Sequence, residues 1–78
     1  MKIGVLTSGY LGAFILDKII NNLDVKFVLT DSNSERILKT CKKNKIPYFK
    51  GNPRNGAGYN FIKNIQVDVI ISVNYLFL

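Results

Sequence analysis

Histidine and tryptophan are absent from this 78-residue chain, and cysteine occurs once, at position 41. Without histidine, no side chain has an ordinary pKa near neutrality, so the usual proton shuttle of acid–base catalysis is missing. A lone thiol excludes an internal disulfide, and one thiol without an imidazole cannot assemble a zinc site, so no metal residue is assigned. No apolar run reaches the roughly 18 residues that a membrane-spanning helix requires. The opening, Met1-Lys2-Ile3-Gly4-Val5-Leu6-Thr7, has a strand pattern and lacks the charged-then-apolar layout of a signal peptide. These absences predict a cytoplasmic protein with a reduced thiol and no membrane partner.

Acidic residues are also scarce, five against eleven basic ones, giving a net charge of +6. Eight of the basic residues lie between Arg36 and Lys63, and Arg36, Lys39, Lys42 and Lys43 fall within one helical segment. A basic stripe can neutralise phosphates. No aromatic residue is interleaved with this one, so the stacking platform of a single-strand binder is missing from the segment. A solvated face is the preferred reading, and nucleic acid is not an expected partner.

What is present is a hydrophobic share of 47%, which excludes disorder and fits a buried core. A chain this short makes one domain at most and buries only about 60% of its unfolded surface.

The pattern alternates strand and helix. Lys2 to Thr7 reads as a strand, Ser8-Gly9-Tyr10-Leu11-Gly12 as a turn, and a helix follows to about Asn22. Leu11, Phe14, Ile15, Ile19 and Leu23 recur at three- and four-residue spacing and predict the face that packs on a sheet. Val25 to Thr30 is a second strand. After the turn at Asp31-Ser32-Asn33, Ser32 and Glu35 have capping-box spacing. The helix that starts there is predicted to bury Ile37, Leu38 and Cys41 and to run to about Asn44. Pro47-Tyr48-Phe49 reads as a short strand whose proline suits a sheet edge. A turn-rich loop from Gly51 to Gly58 precedes a brief helix over Tyr59 to Ile65. Val67 to Val73 is a β-branched run of the kind covered on both faces of a sheet, with Asp68 marking where that strand starts.

This alternation predicts an α/β fold: a truncated Rossmann-like open parallel sheet of order 3-2-1-4 with flanking helices. Five residues follow Val73, too few for another crossover and strand. The expectation is that residues 1–78 are the amino-terminal portion of a larger α/β domain, with an exposed edge on the fourth strand.

Open α/β sheets bind ligands beyond the carboxyl ends of their strands, where the order reverses. Here that point lies between the loops after the first and fourth strands. Gly9 and Gly12 match two of the three glycines of the dinucleotide fingerprint, with Thr7 in place of the first, and Asp31 stands where a ribose-binding acid would. The plainer alternatives are a tight turn, close helix–strand packing and a turn residue.

The stretch Asp68-Val69-Ile70-Ile71-Ser72-Val73-Asn74-Tyr75-Leu76-Phe77-Leu78 resembles the fourth strand and following loop of the folate-dependent formyltransferases, with Asp68, Tyr75 and Leu78 in register. That superfamily includes methionyl-tRNA formyltransferase, glycinamide ribonucleotide transformylase and enzymes acting on nucleotide-linked amino sugars. The opening through Ala13 is similar to the start of the family. Ile46-Pro47 with Gly51-Asn52-Pro53-Arg54 is most similar to the sugar-nucleotide branch. The resemblance covers the whole chain but only about the first third of such an enzyme.

The resemblance implies that Leu76, Phe77 and Leu78 contact the pterin of 10-formyltetrahydrofolate. It also implies that Ser8, Gly9 and Tyr10 approach the acceptor, the amine of a nucleotide-linked amino sugar. Leu11-Gly12-Ala13 replaces the Gly-Ser-Asn of the purine-pathway branch and argues against glycinamide ribonucleotide. The family's catalytic Asn, His and Asp lie downstream of the matched segment. The chain is therefore expected to be inactive alone, with no catalytic residue assigned. Its expected partners are a missing carboxyl-terminal half or a second copy. The alternative is a non-catalytic nucleotide- or dinucleotide-binding Rossmann-like module.

Overall fold

A computed structural model describes residues 1–51 and 57–75, with the backbone alone at 57–59. Four runs of branched aliphatic and aromatic residues form parallel strands: β1 (Lys2–Thr7), β2 (Asp24–Thr30), β3 (Tyr48–Lys50) and β4 (Val69–Val73). The helices α1 (Gly9–Ile20), α2 (Glu35–Lys43) and α3 (Ala57–Ile62) connect them in turn. The sheet order is β3-β2-β1-β4, and every pairing is parallel. This is the expected Rossmann-like α/β arrangement. β3 takes one end of the sheet, where Pro47 needs no ladder N–H and its carbonyl still accepts from Val28 N at 3.0 Å.

Strand alternation sends successive side chains to opposite faces. Ile3, Val5 and Val28 are fully buried on the face covered by α1 and α2, together with Ala13, Leu16, Ile37 and Cys41. Phe27 and Leu29 point the other way and pack with Tyr75, Phe61, Ile62 and Ile65. The β1–β2 register slips between Ile3 and Gly4, so that Gly4 faces Phe27 and Lys26 has no opposite residue. Glycine is required at that point. A Cβ on Gly4 would lie 2.1 Å from Phe27 Cζ, so the ring occupies the space a side chain would take.

α1 departs from the expected face. Its buried residues are Gly12, Ala13 and Leu16, with Ile19 and Ile20 partly covered. Leu11 is 59% exposed, Phe14 57% and Leu23 39%. The helix starts at Gly9, four residues earlier than a turn ending at Gly12 would allow. It lies on the sheet through its smallest residues, because a Cβ on Gly12 would come within 2.2 Å of Thr7 Oγ1. Close approach selects the glycine–alanine side, and the larger Leu11 and Phe14 are turned outward.

α2 also corrects an expectation. Its N-cap is Ser34, so Glu35 opens the helix and cannot serve as the third residue of a box with Ser32. Ile37 and Cys41 are fully buried, whereas Leu38 is half-buried. α3 ends at Ile62, before the expected Ile65, and β4 begins at Val69. Asp68 precedes β4. Its N–H donates to Lys2 O at 2.7 Å, and its Oδ2 accepts from Lys2 N at 2.8 Å. That clasp aligns β4 with β1 at the amino end of the sheet, remote from the ligand-binding edge.

The β4 run is not covered on both faces. Val69 is 43% exposed and Ile70 51%, and Ser72 is exposed as well. Among the described residues, β4 pairs only with β1.

Candidate functional site at the carboxyl edge of the sheet

Parallel strands deliver their carboxyl ends to one edge, and the central pair β1–β4 brings the residues after Thr7 beside those after Val73. Ser8 is the extended N-cap of α1 and is 96% buried by its 4% exposure. Gly9 follows with φ +75°, a left-handed conformation that suits glycine. Asn74 has φ +55° and turns the chain as β4 ends. Its Nδ2 donates to Ser8 O at 3.1 Å, joining the two segments.

A second tie runs toward β2. Gly9 N donates to Ser34 Oγ at 2.9 Å, and the Ser34 hydroxyl in turn donates to Asp31 Oδ1. Asp31 also accepts from Asn33 N at 3.2 Å, an Asx turn, and is only 8% exposed. Asp31 thus uses its carboxylate inward to hold the β2–α2 turn. Gly12 is occupied by helix–strand packing. The plainer readings of both residues are the ones the geometry supports.

Of the residues assigned from sequence, Ser8, Gly9 and Tyr10 stand together at this edge, with Tyr10 80% exposed. Leu76, Phe77 and Leu78 lie outside the described residues, as do Asn52, Pro53 and Arg54 of the third-strand motif. Sequence reasoning missed Ser34 and gave Asn74 no role of its own. The available signals were the Asp-Ser-Asn-Ser turn and an asparagine, tolerant of positive φ, directly after a β-branched run.

Comparison with family models, curated proteins and solved structures finds no match. The chemistry of the edge must therefore be read from its own groups.

Burial shifts two titratable side chains. Tyr75 is 8% exposed against Phe27 and Leu29, and burial raises its pKa, with the Asp31 charge adding in the same direction. It therefore stays protonated at neutral pH. Burial pushes the Cys41 thiol from 9.0 up to about 11, and α2 seals it beneath the sheet face, so it is a poor nucleophile. Among the described residues, no three acidic, cysteine or histidine side chains are gathered to hold a metal ion. No described helix is long and apolar enough to cross a membrane.

Beside Gly9, a cavity of about 200 Å³ opens between the first turns of α1 and α2. Tyr10 forms one wall, Arg36 and Lys39 another, and Asn33, Ser34 and Glu35 complete it.

Proposed function

We propose that this chain supplies the amino-terminal part of a formyltransferase-type domain. The intact protein would move a formyl group from 10-formyltetrahydrofolate to the amine of a nucleotide-linked amino sugar. The observation that carries the reading is the Asn74–Ser8 hydrogen bond, which ties the segment after β4 to the segment after β1. Under the resemblance, these two segments serve the folate and the acceptor respectively. Their junction, at the point where the strand order reverses, supports a shared site. Ser8, Gly9 and Tyr10 are proposed to approach the acceptor, and Leu76, Phe77 and Leu78 to approach the pterin. The proton shuttle for transfer is proposed to come from outside these 78 residues, which contain no histidine.

The test is a titration of the isotopically labelled chain with 5-formyltetrahydrofolate, a stable analogue, followed through backbone amide resonances. Saturable shifts are expected at Gly9, Asn74 and Tyr75. A silent spectrum at millimolar folate overturns the proposal. The alternative, a dinucleotide-binding module, predicts shifts with NAD at Asp31 and Gly12. The inward commitments of both residues weigh against it.

A further inference from the structure

We propose that the groove between the first turns of α1 and α2 is a nucleotide-binding site, with Tyr10 as the platform for the base and Arg36 and Lys39 as partners of the phosphate. It rests on the formyl-transfer reading's placement of the acceptor beside Gly9 and Tyr10 and deepens it by locating the nucleotide, while its test uses no folate and so can fail separately.

Three observations converge on it. The groove encloses about 200 Å³, a concave site between two secondary-structure elements. Arg36 and Lys39 are three residues apart on α2, hence on one helix face, and both line the cavity. Neither is in an ion pair among the described residues, where Lys26 pairs with Asp24. The Tyr10 ring, 80% exposed, lies across from them on a different helix. The basic segment carries no aromatic of its own in sequence, but the fold supplies one from α1.

Each part selects a chemistry. Guanidinium groups bind phosphate oxygens in pairs, and an ammonium adds a compact charge. An exposed aromatic face stacks any base. Glu35 also borders the cavity, leaving two cations against one carboxylate. That balance suits a ligand with one or two negative charges and opposes an extended polyanion that would have to pass the carboxylate. Ser34, at the base of the groove, is fixed by Gly9 and Asp31, so the site is held in shape before any ligand arrives.

The 78-residue chain, labelled with nitrogen-15, is titrated separately with uridine monophosphate, inorganic phosphate and a ten-residue oligothymidylate. The expected result is saturable shifts at the amides of Gly9, Tyr10 and residues 33–39, with the nucleotide bound at least roughly tenfold more tightly than phosphate. Arg36→Ala and Lys39→Ala should each weaken nucleotide binding roughly tenfold, the scale of a charge-assisted hydrogen bond. Tyr10→Ala should erase the advantage over inorganic phosphate. All three side chains are exposed, so resonances of the core should not move, and that control separates lost binding from lost folding. No saturation, equal affinity for phosphate and nucleotide, or indifference to Arg36→Ala each overturns the proposal. Much tighter oligonucleotide binding also overturns it, in favour of a nucleic-acid surface.

Discussion

Gly12 and Thr7 are the residues on which the approach of α1 to the sheet depends. Alanine ordinarily improves a helix interior by about 1 kcal/mol over glycine. At position 12 its Cβ would meet Thr7 Oγ1 at 2.2 Å, and overpacking of this kind typically destabilises by about 1–3 kcal/mol. Thr7 is 1% exposed, and its hydroxyl finds no hydrogen-bond partner among the described residues, so little is lost when that oxygen is removed. Gly12→Ala is therefore expected to destabilise the wild-type background. In a Thr7→Ala background, where the nearest remaining atom is Thr7 Cβ at 3.4 Å, it should be neutral or stabilising. Urea denaturation of the four proteins measures this coupling, and the same loss in both backgrounds would disprove the contact. Cys41 gives a second residue-scale test. Its folded pKa of about 11 exceeds the unfolded 9.0, so between these values only the unfolded chain releases the proton. Stability attributable to this group is intact below pH 9 and falls as pH climbs to 11, by about 3 kcal/mol in all. Cys41→Ala lacks that term. The gap between wild-type and variant unfolding free energies should shift by this amount across the window, and parallel curves would rule it out.

Elements were legible to different degrees, for reasons that differ in kind. The strands β1, β2 and β4 declared themselves through β-branched density, and the boundaries of β1 match the expected ones because polar Lys2 opens the strand and the Ser8-Gly9 pair follows its end. α2 was legible because its polar and apolar sides are sharply divided, with Ile37 and Cys41 alone fully buried. α1 was not, since apolar residues occur nearly all round it and periodicity cannot choose among several faces. The choice came from tertiary packing: Gly12 and Ala13 permit close approach, whereas Leu11 and Phe14 would hold the helix away. The Ser32–Glu35 pair failed for a related reason. Ser34 is held by Asp31 within the turn and also by Gly9, 25 residues distant, a contact that no local pattern encodes. A direct check of the α1 face follows. Leu16→Ala should cost about 2–5 kcal/mol as a core truncation. Leu11→Gln should remain within about 0.5 kcal/mol as an exposed change. The reverse ranking in thermal or urea unfolding would restore the face inferred from spacing.

At the scale of the whole molecule, strand order was readable because parallel βαβ units and right-handed crossovers leave few alternatives. The carboxyl-edge location of the candidate site is an inference from that order. What sequence could not supply was the particular contacts between segments: the Asn74 amide donating to Ser8 O, 66 residues apart, or Tyr10 across a groove from Arg36 and Lys39. The same sheet presents a liability at β4. Its five residues pair with β1 on one side, and Val69 and Ile70 are about half exposed. Unpaired strand N–H and C=O groups beside exposed branched side chains form a template for another strand. Purified chain is therefore expected to self-associate as concentration rises, in spite of its net charge of +6. Ile70→Lys places a charge beside this edge and replaces a side chain already 51% exposed, so it should reduce association with little loss of folding stability. Sedimentation velocity at several concentrations decides the matter. A monomer at all concentrations, or association unchanged by Ile70→Lys, would mean that β4 is not the adhesive edge.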